Sequence, residues 1–583
     1  MTRPPRPGRQ DSRSAHRDDS GGRYGYLFAA IGVGTALLLA GVTLLIALRP
    51  PDPDAQQPSM SLEEATAESG TGAELDGVAA PGAPGFDPVQ AALVANEDQR
   101  IFRLVEGKPP DSAPRLVTWP RAMPTLVLPA RPTPYTVADL QEAGAVTLQH
   151  DGGLLVTTNV LVGPGADVSI QVPNGRLRLS STPTGFTSLV AVRGSLELSG
   201  APGAPLSVTS WDPQAKASDS DLADGRAYVR SVGGRLELKD VNASALGFWS
   251  GRTGGIAWTG STTAPATGAA TAVTTSGNFA GLVIGRSVGV LVSGAQVTDS
   301  TGDGVVVRTA AADTQLLRVL STDNGRNGVR VSTGATNTSL REVTATGNQC
   351  NGIYLDGTPR TPAPTAPGDR ESPALRATGL SIETSSVRDN DEHGVLAINP
   401  TLLELTNTEI SDNQDGVIIR GSARGVLLRG NTVSSPGGFA VAINGGAEAG
   451  RVSVERNVLH DALAGVQVTD TTTSIIGNDI RDMTVHGVAF IGRADRSAVT
   501  ENRIAGRGPS AIDTNRLAPG AVVNESSNDE SLWKLDRDSL RYVAALVRTE
   551  PLVLLWAVPP FVPLILGIAY LRRRRAEYRY RHR

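Results

Sequence analysis

The sequence predicts an all-β fold, a right-handed parallel β-helix flanked by two transmembrane α-helices, on three observations. The first is a glycine followed by alternating apolar residues: AGLVIG, DGVVVR, NGVRVS, NGIYLD, HGVLAI, DGVIIR, AGVQVT and HGVAFI. Their glycines are Gly281, Gly304, Gly328, Gly352, Gly394, Gly416, Gly465 and Gly487, and their numbers step by 23, 24, 24, 42, 22, 49 and 22. The 42 and 49 steps each read as two turns, the second passing Gly438. A period near 22 fits one coil of three short strands with its turns. The second observation is a column of asparagines ahead of the strands, Asn278, Asn324, Asn348, Asn390, Asn413, Asn431, Asn457, Asn478 and Asn502. Asparagine tolerates a left-handed corner, and stacked amides hydrogen-bond from rung to rung. The third is a pair of long uncharged apolar runs, each with arginines on its outer flank.

Taken in chain order, residues 1–25 form a basic tail and 26–48 (YLFAAIGVGTALLLAGVTLLIAL) a run long enough to span a bilayer as helix. The run ends in Leu-Arg-Pro-Pro-Asp-Pro, a poor cleavage context, so it reads as a signal anchor rather than a signal peptide. Residues 49–85, rich in Pro, Ala, Gly and acidic side chains, bury nothing and read as a disordered linker. Residues 86–144 form an N-terminal cap region, with an amphipathic pattern over Pro88–Val105. The β-helix is expected over 145–525, interrupted by a protruding proline-rich loop at 358–372. Residues 526–550 read as an amphipathic juxtamembrane helix and 551–571 as the second span. Arg572 to Arg575 open the basic tail 572–583. Positive charge marks the cytoplasmic side. Both termini are therefore expected inside a bacterial cell membrane crossed twice, with the β-helix outside.

Composition removes other classes. The 65 glycines follow no triplet period, so collagen is excluded, and the single Cys350 is not a disulfide scaffold. With aromatics at 4 %, the core must rest on Val, Ile, Leu and Ala. The net charge of −4 hides two basic tails, which leave the rest of the chain acidic and argue against nucleic acid. Six histidines and one cysteine show no zinc-like spacing, so no metal site or cofactor is expected from them. Asp219, Asp221 and Asp224 in KASDSDLADGR could bind calcium, but they depart from EF-hand spacing, which favours a solvated loop.

NGVRVS, NGIYLD, HGVLAI and DGVIIR, each after an Asn or Asp corner, resemble the repeats of carbohydrate-binding and sugar-hydrolase β-helix proteins. VTSWDPQAKASDSDLADGRAYVR with GFWSGRTGGIAWTG is similar to the middle of proteins related to mannuronan epimerases. The resemblance implies an extended polysaccharide as partner and neighbouring glycan-synthesis proteins. The epimerase tetrapeptide Asp-Pro-His-Asp is missing from every coil, so no epimerase residue carries over.

Site residues follow from columns. Counting from each repeat glycine, positions +2 and +4 point outward. Arg308, Arg330, Tyr354 and Asp356 should therefore adjoin, with His393 and Asp415 near their edge and Arg420 beyond. β-Elimination of an acidic sugar needs a cation, a base and an acid. Arg330 or Arg308 would supply the cation, His393 the base and Tyr354 the acid, beside Asp356. Glycan contacts are expected from Arg308, Arg420, Asp415, Trp249 and Arg252, with Trp211, Phe248 and Trp258 as further ring candidates; the blander reading of the rings is that they fill the wide N-terminal coils. The opposing expectation is a catalytically inert structural or adhesive solenoid, in which these polar residues only satisfy turns.

Overall fold

The computed structural model describes residues 88–105, 113–119, 122–249, 251–261, 263–360, 373–446 and 450–536. Within them the chain coils into a parallel β-helix. One strand of every coil joins a front sheet of 16 strands, and the remaining strands form a second sheet of 30. In the front sheet the first pairing, Arg115–Val117 with Thr125–Leu128, is antiparallel. Every later step is parallel, from Thr125–Leu128 through to Ser510–Leu517.

The expected glycine register is reproduced with one shift. Leu282, Val305, Val329, Ile353, Val395, Val417, Val441, Val466 and Val488 stack in one column. Val417 opposite Val441 places Ala440, not Gly438, in the glycine column. Inward residues at +1 and +3, such as Val305, Val307, Val329 and Val331, are essentially fully buried in one continuous aliphatic core. Glycine recurs because the corner is tight. At Gly352 a Cβ would overlap Val387 Cγ1 and lie 2.8 Å from the Asn390 amide nitrogen. Gly352→Ala is therefore expected to cost about 1–3 kcal/mol through overpacking, read from the urea midpoint.

The asparagines form two ladders at two different corners, not one column. Asn324, Asn348, Asn390 and Asn413 lead into the front sheet, each Nδ2 donating to the next Oδ1 at 2.8–2.9 Å. Asn431, Asn457, Asn478 and Asn502 turn the corner between two strands of the second sheet and donate likewise at 2.9–3.0 Å, ending on Asn528. Thr408 and Ser385 continue this second ladder toward the N-terminus. The left-handed residue is the one before each asparagine: Asp323, Gly347, Asp389 and Asp412 at the first corner, Gly430, Arg456, Gly477 and Glu501 at the second. Asparagine is thus selected by its amide rather than by its backbone.

At the N-terminal end, α1 (Pro88–Val105) lies on the outer face of the first front strands. Val94, Ile101 and Leu104 pack against Val127, Leu161, Val190 and Tyr228. A short helix, α2 (Val137–Glu142), places Leu140 in the solenoid core and closes the first coil. The front ladder begins at Thr125, ahead of residue 145. The juxtamembrane helix expected from 526 is strand in its described part: Val523–Ser526 and Trp533–Leu535 still pair with the coils below. Trp533 packs against the solenoid core.

The two flanking transmembrane helices are not supported. Among the described residues no helix is long and apolar enough to cross a membrane. The one long helix, α1, carries Glu97, Asp98, Arg100 and Arg103. Segments 26–48 and 551–571, with both tails, the 49–85 linker and most of the 358–372 loop, lie outside the described residues.

Candidate functional site

The outward columns of the front sheet gather most of the expected residues. Val306, Arg330, Tyr354, Leu396, Ile418, Ala442, Gln467, Ala489 and Asp513 stack at +2. Ser332, Asp356, Ile398, Arg420, Asn444 and Thr469 stack at +4. The Arg330 guanidinium lies 5.6 Å from the Tyr354 ring centroid and 3.6 Å from Asp303 Oδ2. Asp356 holds Arg360, four residues on, at 3.0 Å. Arg360 escaped the sequence reading, although its spacing from Asp356 was visible. Arg420 sits two rungs beyond Asp356.

These side chains are shielded from solvent. Arg308, Arg330, Tyr354 and Asp356 are all at most 4 % exposed. Burial sets the electrostatics: it lowers the Arg330 pKa to about 10, against the neighbouring Tyr354 and Asp356 charges that raise it. Burial likewise lowers the Arg420 pKa. It pushes the Tyr354 hydroxyl up, reinforced by Asp356, so the phenol keeps its proton. Leu396, Ile418 and Ala442 continue the column as an apolar stripe beside Tyr354.

His393 and Asp415 occupy the column just before the glycine, which is itself a hydrogen-bonded ladder. Asn327 Nδ2 donates to Asp303 Oδ1 at 2.8 Å, Asn351 Nδ2 to Asn327 Oδ1 at 2.9 Å, and the His393 backbone amide to Asn351 Oδ1 at 3.3 Å. Asp415 Oδ1 accepts from the Phe439 amide at 2.8 Å. His393 Nδ1 approaches Asp415 Oδ2 at 3.1 Å, an ion-pair distance without the angle of a hydrogen bond. The stripe thus places a phenol, an imidazole–carboxylate pair and arginines on consecutive rungs, about 4.8 Å apart.

Trp249 and Arg252 lie elsewhere, under α1. Arg252 is 1 % exposed and its guanidinium meets Asp98 of the helix. Arg230 joins the same carboxylate at 3.0 Å and donates from Nε to Thr259 Oγ1 at 2.9 Å. Glu97 pairs with Arg100 at 2.6 Å and accepts from the Tyr228 hydroxyl at 2.6 Å. Phe186, Tyr228 and Phe248 form a tilted ring cluster, 5.0 Å between the Phe186 and Phe248 centroids, with Trp249 packed at its edge. Trp258 is fully buried, its Nε1 donating to the Leu236 carbonyl. Trp211 stacks under the Arg178 guanidinium at 4.1 Å. Of these aromatics only Trp258 lies in the solenoid core, whereas Phe186, Tyr228, Phe248 and Trp249 pack in the layer under α1. The acidic partners that organise the arginines come from a helix far away in sequence, which no local motif signals.

Asp219 and Asp221 each accept a backbone amide two residues on, from Asp221 and Ala223. Burial raises the Asp224 pKa, aided by the charges of Asp221 and Asp219. Among the described residues no group of three metal-ligating side chains is assembled.

The fold is that of the right-handed parallel β-helix repeat proteins. A family model described as "Right handed beta helix region" matches residues 374–504. Among solved structures, the chain resembles the periplasmic alginate epimerase AlgG at 12 % identity, over 70 % of this chain and 85 % of that one, with a TM-score of 0.44. It resembles the A-module of the Azotobacter vinelandii mannuronan C-5 epimerase AlgE6 at 16 % identity, over 69 % and 94 %, at 0.38. The catalytic unit of a GH87 alpha-1,3-glucanase from Streptomyces thermodiastaticus aligns at 12 % identity, over 63 % of each chain, at 0.33. A search of curated proteins finds no match.

Proposed function

We propose that the protein binds an extended acidic polysaccharide outside the cytoplasm, along the outer columns of its front sheet. Arg330 is the observation that carries this reading. It is a dehydrated guanidinium, its pKa lowered to about 10 by burial, set on a stripe with Tyr354, Arg308 and Arg420. A carboxylate presented by a polymer would favour the charged form that burial disfavours. The rung repeat sets contacts for a linear chain at evenly spaced heights. Chemistry on such a polymer would begin with removal of the proton beside its carboxylate. Tyr354, kept protonated by burial, would act as the acid, and His393, beside Asp415, as the base.

The test is a glycan panel of uronate polymers and neutral glucans against the full chain, with affinity measured by titration calorimetry and turnover by absorbance of unsaturated products. Arg330→Gln is expected to weaken binding of the preferred uronate polymer about tenfold or more, because a charge-assisted hydrogen bond contributes ~1.5–3 kcal/mol. An unchanged affinity in that variant overturns the reading. A second reading, an inert structural solenoid, draws on the ladder from Asp303 to His393, in which His393 already has a structural place. A chain that binds no polymer selects it.

A further inference from the structure

The last front strand breaks its register where the sheet carries a second histidine–carboxylate pair. Ala489 lies opposite Asp513, but Ile491 lies opposite Arg516, so the strand Ser510–Leu517 bulges between them. A bulge re-aims side chains and recurs beside functional sites. Here it turns Arg516 back toward Asp513, its Nε donating to Oδ2 at 3.2 Å. The Asn515 backbone and side-chain amides both donate to Asp513 Oδ1, at 3.1 and 2.8 Å. Asp513 is 5 % exposed, and His486 faces it from the preceding rung.

The imidazole is oriented by its other nitrogen. His486 Nδ1 lies 3.1 Å from the Ser510 carbonyl oxygen, which can only accept, and 3.2 Å from Ser510 Oγ, which can accept as well as donate, so a proton on Nδ1 suits both contacts whereas a bare Nδ1 would face the carbonyl oxygen. Burial lowers the His486 pKa and favours the neutral ring, in which Nε2 is an acceptor. Nε2 then faces Asp513 Oδ2 at 3.6 Å. Two acceptors meet across a gap too wide for a direct bond and electrostatically unfavourable without a donor between them. A pair of neighbouring hydroxyl groups supplies two O–H donors for those two acceptors, while Arg516 and the exposed Asn515 supply donors for the hydroxyl oxygens.

We propose that His486, Asp513 and Arg516 form a separate subsite that takes the vicinal diol of a sugar residue. It rests on the reading of the front sheet as a polysaccharide face. His486 occupies the same column as His393, four rungs along, which puts the two histidine–aspartate pairs about 19 Å apart. The face between them is floored by Ala442, Gln467 and Ala489. A disaccharide can reach only one pair, whereas an octasaccharide lying along the axis reaches both.

Calorimetry on the full chain with mannuronate disaccharide and octasaccharide tests this. The wild type is expected to bind the octasaccharide at least about tenfold tighter than the disaccharide. Asp513→Asn and His486→Phe are expected to remove most of that gain, lowering octasaccharide affinity far more than disaccharide affinity. Asn515→Ala, at an exposed position that leaves the core intact, should give a smaller loss of the same kind, so the proposal stays testable if a buried variant fails to fold. A full length-dependent gain in Asn515→Ala and in a folded Asp513→Asn overturns the subsite alone. A wild type that binds neither oligosaccharide overturns the polysaccharide reading, and the subsite with it.

Discussion

Asp98→Ala is expected to destabilise the N-terminal coils by about 3–5 kcal/mol, the cost of breaking a buried ion pair by removing one partner. Asp98 is the carboxylate that Arg230 and Arg252 share, and both guanidinium groups are 1 % exposed. Truncating it leaves two positive charges in a site that water cannot easily reach. The helix that carries Asp98 also seals Val94, Ile101 and Leu104 against the front sheet, so releasing it adds exposed apolar surface to the electrostatic loss. The measurable result is a lower urea midpoint, with hydrogen exchange accelerated in Thr125–Leu128, Ser188–Val192 and Tyr228–Val232 and unchanged near Val488. An exposed pair provides the contrast. Arg429 and Glu455 meet at 2.7 Å with half of the arginine side chain exposed, and Glu455→Ala should cost under about 1 kcal/mol. Equal effects from the two variants would show that α1 is not held by its buried charges.

The solenoid and the outward columns were legible because both are consequences of a period. Once Gly304, Gly328 and Gly352 recur at equal intervals, strand alternation forces Arg330 and Tyr354 onto one face, and the structure puts them in adjacent rungs. Arg308, Asp356, Asp415 and Arg420 follow by the same rule. The rule failed where contacts do not repeat. Trp249 and Arg252 read as glycan contacts because aromatics are dense there, with packing as the other reading, and α1, from far earlier in the chain, covers them. The Asp513–Arg516 cluster was hidden by a bulge, which shifts register without changing composition. The split of the asparagines was also invisible. Asn413 and Asn431 are spaced closely enough to one coil for a single irregular column, and only the pairing of Glu409 with Thr432 shows that they sit at different corners.

That split determines what a ladder mutation does. Asn457 donates through Nδ2 to Asn478 Oδ1 and to the Leu428 carbonyl, each at 3.0 Å, and its Oδ1 accepts the Asn431 backbone amide at 2.9 Å and side-chain amide at 3.0 Å. The backbone donor fixes which way the amide points, so all the amides of the ladder run in one direction toward Asn528. Asn457→Ala is expected to cost about 3 kcal/mol, because it takes the acceptor from the buried Asn431 backbone amide and removes one donor each from Asn478 Oδ1 and the Leu428 carbonyl where no water reaches. Asn457→Asp should be at least as damaging: it still accepts from Asn431 but sets a carboxylate against the Asn478 oxygen and the Leu428 carbonyl. Asn528 is half-buried and ends the ladder, so Asn528→Ala should cost only about 1 kcal/mol. Thermal unfolding of the three variants decides the matter. A ladder that works as a chain of buried bonds puts the midpoints of Asn457→Asp and Asn457→Ala well below that of Asn528→Ala, whereas equal midpoints would mean that the aliphatic core alone sets the stability of the coil.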